Sequence, residues 1–79
     1  MLPKTITDKL DAKLATMADT QTKITWLKGV STKIDTLATK TSGQKSKRLL
    51  EAFKNLVNDK IDEFSGNTID ENTLSKILD

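Results

Sequence analysis

The chain has 79 residues, with 13 Lys and Arg against 11 Asp and Glu, and neither Cys nor His. Disulfide staples and thiolate or imidazole metal sites are therefore excluded. A chain this short buries only about 60–65% of its unfolded surface, so its core must be well-patterned packing, or a partner must complete it.

Apolar residues recur at intervals of three and four, not two, which predicts helices throughout. The first segment carries Ile6, Leu10, Leu14 and Met17, a narrow stripe that ends near Asp19-Thr20. The second is centred on Leu27, Val30, Ile34 and Leu37, with Ile24 and Ala38 on one flank and Trp26 on the other. The third has Leu49, Leu50, Phe53, Leu56, Val57, Ile61 and Phe64, the widest stripe, as expected of a central helix. A short fourth segment has Leu74, Ile77 and Leu78.

The residues between these segments agree with that division. Thr41 stands three residues before Gln44, the spacing of a capping box, and Gly43 follows the second stripe. Ser65-Gly66-Asn67 supplies residues that tolerate positive φ and stop the third helix. Thr68-Ile69-Asp70-Glu71 repeats the capping-box spacing before the fourth. The first junction has a cap residue, Asp19, but no glycine. The expected architecture is all-α: one domain over residues 1–79, a small antiparallel bundle of three main helices plus a short C-terminal fourth. The predicted spans are 5–18, 21–40, 44–64 and 70–78.

Charge is unevenly distributed. Through Arg48 there are 9 Lys and 1 Arg against 4 Asp, a surplus of +6, whereas from Leu49 onward 3 Lys face 7 acidic residues, or −4. The basic start of the third helix and its acidic end, Asp59 to Glu63, both oppose the helix dipole, by a few tenths of a kcal/mol each (~0.3). Antiparallel packing would set the basic start against Asp8 and Asp11, and the acidic end against Lys23 and Lys28.

The stretch KTSGQKSKR, residues 40 to 48, raises the question of anion binding. Lys45, Lys47 and Arg48 would strengthen the field of a helix N-terminus, making an anion-binding candidate. The stretch has one glycine where a P-loop needs two, and no strand precedes it, so it is read first as a turn. Nucleic acid is not an expected partner, because the surplus of charge is small and the C-terminal third is acidic.

Trp26 is the only Trp, and Gly29 follows one turn later. With about 100° per residue, Trp26 falls about 60° from the centre of its stripe, with Gly29 and Lys33 on the same flank. Glycine inside a helix costs about 1 kcal/mol against alanine, and edge aromatics are favoured interface anchors. Trp26, Gly29 and Lys33 are thus the partner-binding candidate; the plainer reading is a half-buried core Trp beside an incidental glycine. Trp26-Leu27-Lys28-Gly29 is one residue too long for the W-x-G turn of secretion-system hairpin proteins, and it lies mid-helix.

No catalytic residues are assigned. Without His, Cys or Tyr, catalysis would need a Ser–Lys or paired-carboxylate site in a concave pocket, which a bundle this small rarely encloses. The acidic groups Asp59/Asp62/Glu63 and Asp70/Glu71 lack calcium-loop spacing. The expectation is therefore a non-enzyme without cofactor, metal or small-molecule substrate. The longest apolar run is two residues, far below the roughly 20 of a membrane span, and Met1-Leu2-Pro3 lacks the apolar stretch of a signal peptide. Both a cytoplasmic setting and a domain of a cell-envelope or secreted protein fit such a chain.

The pattern [DT]-K-[LI]-D occurs at Asp8-Lys9-Leu10-Asp11, Thr32-Lys33-Ile34-Asp35 and Asp59-Lys60-Ile61-Asp62, with offsets of 24 and 27 residues. After the first two come similar helix ends, LATMADTQ and LATKTSGQ, and Thr makes up 12 of 79 residues. Over residues 5–66 this resembles the short helical repeat segments of some bacterial cell-envelope and secreted proteins. The resemblance implies a structural or interaction module working through protein–protein contact or self-association. In size, charge sign and helix count alone, the chain is also similar to bacteriocin immunity proteins, which are soluble helical bundles. A small anion- or nucleic-acid-binding bundle is the third alternative.

Overall fold

A computed structural model describes residues 2–66 and 71–79. It is an all-α bundle: α1 is Lys4–Ala15, α2 Thr20–Lys40, α3 Gln44–Ser65 and α4 Glu71–Leu78. No strand occurs among the described residues.

α1 starts directly after Pro3, whose carbonyl accepts from the Ile6 amide at 3.1 Å. It stops at Ala15, three residues before the predicted end at 18. There the Thr16 hydroxyl and amide both donate to the Lys13 carbonyl, at 2.6 and 3.1 Å, and satisfy a terminal acceptor that the helix leaves open. Asp19 then caps α2: its carboxylate accepts from the Thr22 amide at 3.2 Å and from the Thr22 hydroxyl at 3.1 Å. Asp19→Ala is expected to cost about 1 kcal/mol, read as a lower thermal midpoint by circular dichroism.

The capping box expected at Thr41 and Gln44 is not formed. The N-cap of α3 is Gly43, without a side-chain cap bond, and the Thr41 hydroxyl donates back to the Leu37 carbonyl at 2.8 Å. Thr41 is close enough to the end of α2 to satisfy one of its open carbonyls, so it ends one helix instead of starting the next. α3 ends as predicted, on Gly66 in the left-handed region at φ 74°. The capping-box spacing at Thr68–Glu71 and the start at residue 70 lie outside the described residues.

Three threonine hydroxyls within α2 are also used locally: Thr32, Thr36 and Thr39 donate to carbonyls of Lys28, Thr32 and Thr36. Back-bonding of this kind satisfies the side chain on the exposed face without a partner helix.

α2 and α3 form the main packed pair and run antiparallel. Lys54 bridges Asp35, and the Lys23 ammonium sits 5.2 Å over the Phe64 ring, so residues rise along one helix as they fall along the other. α1 runs parallel to α3, with Ile6 near Phe53 and Asp11 bridging Lys60 at 3.4 Å. The core joins one face of each: Leu10 and Leu14 from α1, Leu27 and Ile34 from α2, Val57 from α3. Leu27 and Val57 are fully buried. Trp26, Val30, Leu50, Phe53, Leu56, Ile61 and Phe64 pack around them.

The charge pairing differs from the expected one. Asp8 pairs with Lys4 one turn earlier, at 3.6 Å, and Asp11 with Lys60, not with the basic start of α3. Among the described residues, neither Lys23 nor Lys28 forms an ion pair with the acidic end of α3. For the aspartates of α1, helix length is the cause. At 1.5 Å per residue α1 is about 18 Å long and α3 about 33 Å. With Asp11 level with Lys60, Lys4 reaches only to about residue 53. The first two turns of α3 and the last turn of α2 are then beyond the reach of α1, and Leu37 and Leu49 are exposed there.

No residue of α4 is buried. The radius of gyration is 14.9 Å, against about 12 Å for a compact chain of this length.

Candidate functional site

Two sets of residues were singled out by sequence, and the fold treats them differently. Lys45, Lys47 and Arg48 are all exposed on the first turn of α3. At about 100° per residue Lys45 and Lys47 point to nearly opposite sides of the helix, so the three cations do not converge. Lys47 stands on a small cleft of about 160 Å³ whose walls include Asp35 and Glu51. Carboxylates in that position oppose an anion there.

The Trp26 flank leads to a larger feature. Between α1 and α2 runs an open groove of about 600 Å³. Ile6 and Leu10 line it from α1, Trp26 and Val30 from α2, and Phe53 from α3. Lys9, Lys13 and Thr16 line its rim. The groove follows from the narrow stripe of α1. Leu10 and Leu14 belong to the common core, which leaves Ile6 and the edge of Leu10 as the large apolar groups of α1 on the groove. Trp26 is too far round its helix to be fully covered, and remains half-buried.

Gly29 and Lys33 do not line the groove; both are exposed on the flank beside it. A β-carbon added at Gly29 would meet nothing within 4 Å, and its φ is not positive. Nothing in the chain's own packing therefore requires glycine. Gly29→Ala is expected to stabilise the folded chain by about 0.5–1 kcal/mol, measurable by urea unfolding.

Sequence reasoning missed the groove as a feature, although it placed Ile6, Val30 and Phe53 on apolar stripes. The signal was available: the first stripe is one residue wide where the second, with Ile24 and Trp26 on its flanks, is three. The basic rim was not legible, because Lys9 and Lys13 fall on the groove side only once the rotation of α1 about its axis is known.

No described helix is long and apolar enough to cross a membrane. No group of three or more metal-ligating side chains gathers among the described residues. No family model, curated protein or solved structure matches this chain.

Proposed function

We propose that this chain is a non-enzymatic interaction module that works by protein–protein contact, through the groove between α1 and α2. The observation that carries this reading is the groove itself, about 600 Å³ with apolar walls, lined by half-buried Trp26 and rimmed by Lys9 and Lys13. Apolar walls with a charged rim suit an amphipathic helix laid in a groove, and a large aromatic at its edge suits an anchor. Walls of this kind offer little to a proton-transfer reaction, which needs polar groups converging on one atom. The threonine-rich composition and the [DT]-K-[LI]-D pattern support one unit of a larger bacterial surface or secreted protein as the setting.

The test uses anilinonaphthalene sulfonate, an apolar fluorescent anion matched to such a groove. Its emission is expected to rise on binding the chain and to fall back with Trp26→Ala at unchanged helicity. Equal enhancement and intact assembly in the Trp26→Ala chain would sink the reading.

A further inference from the structure

We infer that the groove between α1 and α2 receives α4 of a second copy of this chain, so that two chains exchange their C-terminal helices. The inference rests on the groove being a contact surface, as proposed above.

α4 has an apolar face that is left largely uncovered among the described residues. Leu74, Ile77 and Leu78, at spacings of three and four, lie on one side of the helix and are 52%, 74% and 88% exposed. A helix of eight residues is well below the roughly 12–15 at which an isolated helix is even marginal in water. It therefore needs a surface. The groove fits it in length: from Ile6 to Thr16 is about 15 Å along α1, and α4 is about 12 Å long.

Charge fits as well. Neither Lys9 nor Lys13 takes part in an ion pair among the described residues. α4 carries Glu71 in its first turn, with Asp79 just past its end, against the single Lys76. An acidic helix beside a basic rim is the favourable combination.

The chain's own α4 is poorly placed to fill the groove. α3 ends at the same end of the bundle as the Thr16–Asp19 connection between α1 and α2, since Lys23 lies over Phe64. To enter the groove, α4 would have to pass over that connection. The five steps from Gly66 to Glu71 reach at most about 18 Å when fully extended, hardly more than two helix spacings of about 8–10 Å. A second copy can bring its groove to that α4 within the same short link, without the crossing. Reciprocal exchange then fills two identical grooves with two identical helices about one two-fold axis.

The experiment is solution mass by light scattering, from micromolar to millimolar chain. The mass is expected to rise from 8.8 kDa toward twice that value. Leu74→Glu with Ile77→Glu should hold it at the monomer with α1 to α3 intact, since both side chains are exposed, any loss of helicity being confined to the eight residues of α4. Lys9→Glu with Lys13→Glu, also on exposed positions, should weaken the dimer by about tenfold at low salt and less at high salt. Mixing these two variants tests complementation. The rim variant still donates α4 and the α4 variant still offers an intact groove, so the mixture should form a dimer that the α4 variant alone does not.

A mass of 8.8 kDa at every concentration overturns the exchange, whether the own α4 fills the groove, seen as a red shift of Trp26 emission in the α4 variant, or no helix does. A dimer indifferent to Leu74→Glu and Ile77→Glu also overturns it, because another surface then joins the copies. Dye binding to the α4 variant separates this failure from failure of the groove: enhancement there keeps the groove reading when exchange fails, and none removes both.

Discussion

Replacing Leu27 with alanine is expected to lower the unfolding free energy by about 3–5 kcal/mol and the thermal midpoint by about 15–25 °C. Leu27 is fully buried and belongs to the cluster in which all three main helices meet: Leu10 and Leu14 from α1, Ile34 from its own helix, Val57 from α3. Truncation removes the transfer free energy of three carbons and leaves a cavity with walls on three helices, which cannot all collapse at once. A chain of 79 residues has a total stability of only about 4–12 kcal/mol. The loss is therefore a large part of the whole, and the variant is expected to be partly unfolded at 37 °C. Thermal unfolding followed by circular dichroism reads it directly. A midpoint within about 5 °C of the parent would mean that Leu27 is not at the centre of the packing.

The second large effect concerns α1. Leu14→Ala is expected to cost about 2–4 kcal/mol and to release α1 ahead of the α2–α3 pair. α1 has 12 residues, the lower limit of the roughly 12–15 at which a helix is marginal by itself. Its anchors are the two buried leucines, Leu10 and Leu14, and the Asp11–Lys60 bridge at 3.4 Å. That bridge is partly exposed on both sides and is worth about 0.2–1 kcal/mol at most. With Leu14 truncated, one leucine remains to hold the helix. Amide exchange in residues 4–15 should then approach the unprotected rate while α2 and α3 stay protected. Because α1 is one wall of the groove, dye enhancement should fall in parallel. Cooperative loss of all three helices together would show that α1 is not a separate unit.

Much of the fold was legible because its signals are local. The predicted spans 21–40 and 44–64 meet the observed Thr20–Lys40 and Gln44–Ser65 within one residue at each end. Asp19 and Gly66 carry most of that, the first through a side-chain bond to the backbone and the second through a backbone angle that other residues avoid. The expected first helix runs three residues too far because no glycine marks its end, and Thr16 stops it with a hydroxyl. At residues 41–44 the spacing misled: Thr41 stands between the open carbonyls that end α2 and the open amides that start α3, and its hydroxyl donates to the Leu37 carbonyl instead of accepting from an amide of α3. The [DT]-K-[LI]-D pattern proved informative in a way its spacing alone did not reveal. Its apolar residue faces the core at Leu10 and Ile34, and its aspartate at Asp11 and Asp35 reaches a lysine of α3.

The candidate site was legible only at Trp26. The wheel put Trp26 at the edge of its stripe, and the structure finds it on the wall of the groove. Gly29 and Lys33 share its flank but not the groove, because a side chain's direction within about 60° does not say what stands opposite it.

By itself the sequence determined the helical class, the four segments, the two best-marked junctions and the face that each main helix turns inward. These depend on contacts within a few residues and on a periodicity that a single helix already expresses. Only the tertiary structure decided how far α1 reaches along α3, and with it which aspartate meets which lysine and where a groove stays open. Those outcomes depend on the relative lengths and rotations of helices that meet across the bundle. A shift of one turn, about 5.4 Å, would preserve every local signal in the chain and change every one of those pairings.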